Sequence, residues 1–281
     1  MILVFGATGT TGGEVARRLI AAGRQPRLLV RSPEKAREFQ DDAELVEGDL
    51  ERPDSLDVAM EGVERMFLVS TGIHGTDHEM RAVDVAKRCG VKHVVKLSVI
   101  GADAPFLTFA KWHARSERHL MDSGLAWTML RPDNLMTNSL TWADSIRASG
   151  TFHQPTGDGR WAAVDPADIG DAAVRALTGT GHEGQAYTLT GPASLSAAEY
   201  ATAISAAIGK PVKFVDVPAE AARDRLLQSG MPEEYVDALL DLFAVMRAGK
   251  TDVVTDGVER AAGRKPGTFE AWIRRNLAAF R

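Results

Sequence analysis

Residues 6–13 read Gly-Ala-Thr-Gly-Thr-Thr-Gly-Gly, with glycines at 6, 9 and 12. The apolar run Ile2–Phe5 comes directly before them, and the amphipathic segment Gly12–Ala22 begins inside them. A strand that turns on glycine straight into a helix is a narrow structural choice. In such a turn Gly6 permits the sharp reversal, Gly9 lets a ligand approach the backbone, and Gly12 allows the helix to pack closely on the strand. The helix start then offers unpaired N–H groups and the positive end of its dipole, which together favour a phosphate. Thr8, Thr10 and Thr11 add hydroxyl donors. A glycine-rich turn alone carries little weight; the order strand, turn, helix, second strand points to a bound pyrophosphate.

The rest of the first half continues that order. The strands expected are Ile2–Phe5, Pro26–Val30, Glu44–Glu47, Arg65–Val69, His93–Ser98 and Trp127–Leu130. Between them lie helical segments at Gly12–Ala22, Pro33–Phe39, Ser55–Met60, His78–Cys89 and Ala110–Ser123, several of them ending in glycine. Repeated strand–helix units imply right-handed crossovers and a parallel sheet covered on both faces. The fold expected is therefore α/β, a Rossmann-type doubly wound parallel sheet. After Arg131-Pro132 the pattern mixes short strands (Ala186–Thr190, Val212–Val217) with helices at Ala167–Thr178, Ala197–Ile208, Glu233–Ala248 and Phe269–Ala279. This gives a dinucleotide-binding domain over 1–135 and a smaller α+β, substrate-binding cap over 136–281, packed on it as one unit.

Composition removes several alternatives. The 281 residues carry a formal net charge of −5 with no basic stripe, so no nucleic-acid partner is expected. The single cysteine, Cys89, rules out an internal disulfide and reads as a small apolar residue closing a helix. The N-terminus lacks a charged leader region, and no apolar run approaches the roughly 20 residues that span a bilayer. A cytoplasmic protein without a membrane partner, monomeric or homodimeric, is expected.

The second strand bears on which dinucleotide binds. An NAD site usually ends this strand in Asp or Glu, bonded to the ribose. Here the chain reads Leu28-Leu29-Val30-Arg31-Ser32. Arg31 at that position can clamp a 2′-phosphate, which favours NADP(H), although a solvated strand end would look the same. Asp49 and Leu50 close the third strand, where the acid can meet an adenine amine, and Ser70-Thr71-Gly72 close the fourth on the nicotinamide side.

Taken with Leu130-Arg131-Pro132, these motifs resemble the atypical short-chain dehydrogenase/reductases of the NmrA-like group. Ala167-Asp168-Ile169-Gly170 and Tyr187-Thr188-Leu189-Thr190-Gly191-Pro192 extend the resemblance over essentially the whole chain. The resemblance implies an NADPH-dependent reductase of quinones, dyes or imines, with Pro132 in the cofactor set. It also admits a cofactor-sensing regulator that docks a protein partner and turns nothing over. The wider superfamily uses a Tyr-x-x-x-Lys pair. Four residues after Tyr187, Tyr200 and Tyr235 stand Gly191, Ile204 and Leu239, so no such pair exists. Aligning on Glu117 puts His113 in the Lys position and Phe109 in the Tyr position, while Ser98 matches the usual catalytic Ser.

Losing the phenol makes ordinary ketone chemistry a poor fit. A quinone accepts hydride to give a stable aromatic anion, and water, or His113 with a pKa near about 6.5, can supply the proton. The quinol product can react with oxygen, a route to aromatic polyketide hydroxylation. His113 as a bland helix residue weighs equally. No metal is expected: His74 and His78 are spaced i, i+4 without a third ligand, and read better as part of a substrate-covering loop. Asn134, Met136, Asn138, Trp142, Phe152 and Trp161 suit either a flat apolar ligand, a small aromatic or quinone substrate, or the core of the cap.

Overall fold

The first apolar run becomes β1 (Ile2–Val4), and the glycine turn leads into α1 (Thr10–Ala21). The computed structural model describes residues 1–281. Along the chain follow β2 (Arg27–Val30), β3 (Glu44–Glu47), α2 (Pro53–Ala59), β4 (Arg65–Leu68), α3 (Gly75–Arg88), β5 (His93–Leu97), α4 (Thr108–Asp122) and β6 (Ala126–Pro132). Pro33–Phe39 is a 3-10 helix, as is Met136–Trp142. Next come α5 (Ala143–Ser149), β7 (Thr151–Gln154), β8 (Arg160–Trp161), α6 (Pro166–Thr178), β9 (Gln185–Leu189), β10 (Leu195–Ser196), α7 (Ala197–Ile208) and β11 (Lys213–Asp216). Helices α8 (Ala219–Gln228), α9 (Glu233–Arg247), α10 (Gly257–Ala262), α11 (Phe269–Arg275) and α12 (Leu277–Phe280) complete the chain.

Two units result. The first comprises residues 1–132, 166–189 and 257–264. Its sheet has seven strands in the order β3-β2-β1-β4-β5-β6-β9, all parallel. The order reverses between β1 and β4, where a crevice opens beyond the strands' carboxyl ends. Leu3, Phe5, Met66, Leu68, Val94 and Met129 from the sheet pack with Val83, Ala86 and Leu120 from α3 and α4. Strands buried on both faces read as continuous apolar runs, which is why they stand out in the sequence. Helix α6 lies against α1: a Cβ on Gly170 would stand 2.9 Å from Arg18 Cδ. Arg18 Nε bonds Asp171 at 2.6 Å, and Arg264 pairs with both the buried Asp168 and Asp171. The 167–170 motif is therefore explained by helix packing.

The second unit comprises residues 133–165, 190–256 and 265–281. Here β7 pairs parallel with β11, and β8 antiparallel with β10. Helix α7 carries a complete capping box, with Ser196 and Glu199 each bonding the other's backbone N–H. The core is aromatic: Trp142 stacks on Phe152 at 4.1 Å, and Tyr200 meets both Trp161 and Phe269.

Candidate active site

The glycine turn is built as its residues require. Gly6 adopts φ +65°, a left-handed conformation that favours glycine. A Cβ on Gly12 would meet Gly6 O at 2.3 Å and Phe5 O at 2.5 Å, so α1 starts hard against the end of β1. Gly9 caps the helix with no side-chain bond to the first-turn N–H groups. Those donors face outward for an anion. Thr8 and Thr10 are exposed beside them, whereas Thr11 is buried and its hydroxyl is not presented in the same way.

Phe5, Gly6, Thr8, Leu29, Val30, Arg31, Asp49, Leu50, Val69, Ser70, Thr71 and His78 line a cleft of about 230 Å³. It follows the carboxyl ends of β1, β2, β3 and β4, the place the topology sets aside for a dinucleotide. Arg31 directly follows β2, exposed, and its guanidinium makes no ion pair within the protein. The Asp49 carboxylate accepts the Glu51 N–H at 3.0 Å, and Ser55 Oγ receives the Asp49 N–H at 2.9 Å. Gly72, at φ +85°, turns the chain from Thr71 toward α3. Of the expected cofactor residues, Gly6, Thr8, Arg31, Asp49, Leu50, Ser70 and Thr71 line this cleft. Gly9, Thr10, Thr11 and Gly12 form the turn and helix start after β1. Gly72 and Pro132 lie outside the lining, Pro132 ending β6 with its carbonyl accepting the Ile100 N–H at 2.9 Å. The turn, the open helix start and the unpaired Arg31 fit a dinucleotide carrying a 2′-phosphate.

His78 corrects one expectation. The segment after β4 is not a covering loop: α3 begins at Gly75, so His78 stands on its first turn. Its Nδ1 lies 3.3 Å from Ser70 Oγ on the cleft wall.

Two further residues were expected to help catalysis. Ser98 follows β5, buried, with its N–H donating to Leu130 O at 2.7 Å and its Oγ without a partner. His113 lies on α4, half-buried, with Nδ1 3.3 Å from Lys96 Nζ. Burial, followed by the Lys96 ammonium, holds the His113 imidazole well below its usual range. The expectation of a near-neutral acid there is thus corrected: this imidazole is uncharged at pH 7. Lys96 and its partner Glu79 escaped the sequence reading. The signal available was a lone lysine in the run His93-Val94-Val95-Lys96-Leu97, where burial on both faces makes a charge anomalous.

The three tyrosines offer no primed acid. Tyr187 Oη bonds His182 Nδ1 at 2.9 Å, and burial raises its pKa. Tyr200 Oη donates to Trp161 O at 3.1 Å and accepts the Ala163 N–H at 3.2 Å; burial raises it also. Tyr235 is raised by burial.

In the second unit, Asn134, Met136, Asn138, Trp142 and Trp161 surround one cavity, but its free space is about 30 Å³, room for a water. Trp142, Trp161 and Met136 are buried, and Phe152 is stacked into the core. A flat ring does not fit there without side-chain movement.

Comparison with known proteins agrees with this arrangement. A family described as NAD(P)H-binding matches residues 6–180. An NAD(P)H azoreductase of Xenophilus azovorans is 40% identical over 285 residues, 100% of this chain and 99% of the relative. A (4-alkanoyl-5-oxo-2,5-dihydrofuran-3-yl)methyl phosphate reductase of Streptomyces griseus is 38% identical over 284 residues, 100% and 99% of the two chains. The crystal structure of an NADPH-dependent quinone oxidoreductase of Escherichia coli, complexed with NADPH, matches with a TM-score of 0.89 at 27% identity, over 99% of this chain and 100% of that one.

Proposed function

This chain belongs to the NAD(P)H-binding family, and for this member we propose hydride transfer to a quinone or a similarly electron-poor aromatic. It is an NADP(H)-dependent oxidoreductase of the NmrA-like, quinone-reductase-type group. NADPH, when bound, supplies the hydride. The Gly6–Gly12 turn and the start of α1 hold its pyrophosphate, and Arg31 holds the 2′-phosphate.

The observation that carries the acceptor is the state of the acids. No phenol is lowered toward neutrality, and the one histidine expected to help is held neutral. A simple ketone would become an alkoxide and need a strong donor at once. A quinone that gains a hydride becomes a hydroquinone monoanion, which survives until water delivers the second hydrogen as a proton. The protein then contributes orientation and polar contacts, with Ser98 Oγ and His113 as hydrogen-bond donors to the acceptor's oxygens. The names of the azoreductase and the quinone oxidoreductase among its relatives support this reading.

The test is loss of NADPH absorbance with purified protein and a panel of benzo-, naphtho- and anthraquinones, with NADH run alongside. Quinone-dependent consumption preferring NADPH is expected. Tight NADPH binding with no consumption across the panel overturns the reading and leaves a cofactor-sensing role.

A further inference from the structure

Lys96 is fully buried near the carboxyl end of β5, yet every hydrogen on its ammonium has an acceptor. Nζ donates to Glu79 Oε2 at 2.9 Å and to Leu97 O at 2.9 Å, and it stands 3.3 Å from His113 Nδ1. Glu79, 1% exposed on α3, also accepts the Ser116 hydroxyl at 2.8 Å and the Ser70 N–H at 3.3 Å. Ser70 lines the cofactor cleft. A continuous polar line therefore runs from the cleft wall through Glu79 and Lys96 to His113.

Burying both ions costs several kcal/mol each before their attraction repays it, and an apolar pair of equal volume holds a fold as well. Stability alone gives no reason for this pair. Its position does: an ammonium has no lone pair, so at Nδ1 the imidazole must accept. The ring proton then sits on Nε2, on the edge turned away from Lys96.

We propose that Lys96, backed by Glu79, is a positioning residue that fixes His113 as a neutral Nε2–H donor. In the acceptor reduction proposed above, on which this role rests, His113 hydrogen-bonds the oxygen where negative charge develops. It keeps its own proton, and the proton that completes the product comes from water. Among the other charged groups of α4 and the elements packed on it, Asp77 of α3 pairs with Arg115, Asp84 with His119 and Glu117 with Arg131 of β6, while Lys111 and Arg118 are exposed. Lys96, 3.3 Å from Nδ1, is the charge in contact with the His113 ring.

The test is long-range proton–nitrogen correlation NMR on the full-length protein with NADP+, with the His113 signals identified by their loss in His113→Gln. The Nε2–H pattern should persist unchanged from about pH 5.5 to 8, a window in which an ordinary histidine titrates. An Nδ1–H pattern, or an imidazolium at neutral pH, overturns the proposal. In Lys96→Met the His113 midpoint should rise by about one unit or more. Its kcat should fall about tenfold while NADPH affinity stays within about twofold. An unchanged titration in a folded Lys96→Met variant also overturns it; if that variant does not fold, the wild-type spectrum decides. The spectrum needs no acceptor, so a correct tautomer in a protein inert toward quinones overturns the acceptor and leaves the tautomer standing.

Discussion

Arg131 grips Glu117 with two parallel hydrogen bonds, Nε to Oε1 at 3.0 Å and Nη2 to Oε2 at 2.7 Å, tying β6 to α4. Glu117 is buried, whereas the second partner of Arg131, Asp103, is 65% exposed. The two carboxylates should therefore differ sharply in effect. Glu117→Ala strands a largely buried guanidinium and should cost about 3 kcal/mol in urea unfolding. Asp103→Ala should cost less than about 1 kcal/mol. Equal losses would show that burial does not set the strength of this pair.

Arg31→Asp replaces a clamp for a 2′-phosphate with a carboxylate suited to a ribose hydroxyl. A charge-assisted bidentate contact of about 1.5–3 kcal/mol is lost, so the KM for NADPH should rise about 10- to 100-fold while that for NADH falls or holds. Steady-state kinetics with both cofactors decides it. An unchanged NADPH preference would mean that Arg31 is merely a solvated strand end.

His93 should make stability depend on pH. Thr128 gives its hydroxyl hydrogen to His182 O at 2.6 Å, so it accepts from His93 Nε2 at 2.9 Å, and the ring is buried in its neutral form. Burial, then Arg65, pushes this imidazole down to about 4. An unfolded histidine binds its proton below about 6.5, so between there and 4 the unfolded chain holds more protons than the folded one. Stability is full above about pH 6.5 and is lost as pH falls toward 4, by up to about 3 kcal/mol from this group. Urea unfolding across that range should show the slope, and His93→Gln should flatten it.

Tyr200→Phe should weaken the fold without touching catalysis. The hydroxyl bridges Trp161 O and Ala163 N, and its removal leaves a buried N–H unpaired, at a cost of about 1–3 kcal/mol. Thermal unfolding should report the loss while kcat/KM stays within about twofold. A large kinetic loss in a stable variant would give this phenol a role in the chemistry.

What the sequence discloses follows from what each feature depends on. The six leading strands and the glycine turn are local patterns, and each appears within a residue or two of its expected place. The two-residue strands β8 and β10 are too short to show a period. Helix α8 is half polar and buries only Ala222, so it carries no apolar stripe to recognise. At the site, Arg31 and Asp49 are legible because each lies within two residues of the end of its strand. The link from Glu79 to Lys96 to His113 joins three elements at separations of 17 residues each way, and only the packing of α3, β5 and α4 reveals it. The charge state of His113 was out of reach for the same reason, since its cause is a neighbour in space.

The last strand of the sheet has a consequence for how the chain is made. β9 supplies the edge partner of β6 from more than fifty residues downstream, Thr128–Pro132 pairing with Gln185–Leu189. During synthesis, a chain that has emerged as far as β6 carries six of its seven strands and an open row of backbone donors and acceptors. Such an edge invites pairing with another nascent chain until its own partner arrives. The interval is set by ribosome speed, at about 5–20 residues per second a matter of several seconds. Until β9 arrives, β6 itself is an edge of this sheet, a state the completed fold no longer has.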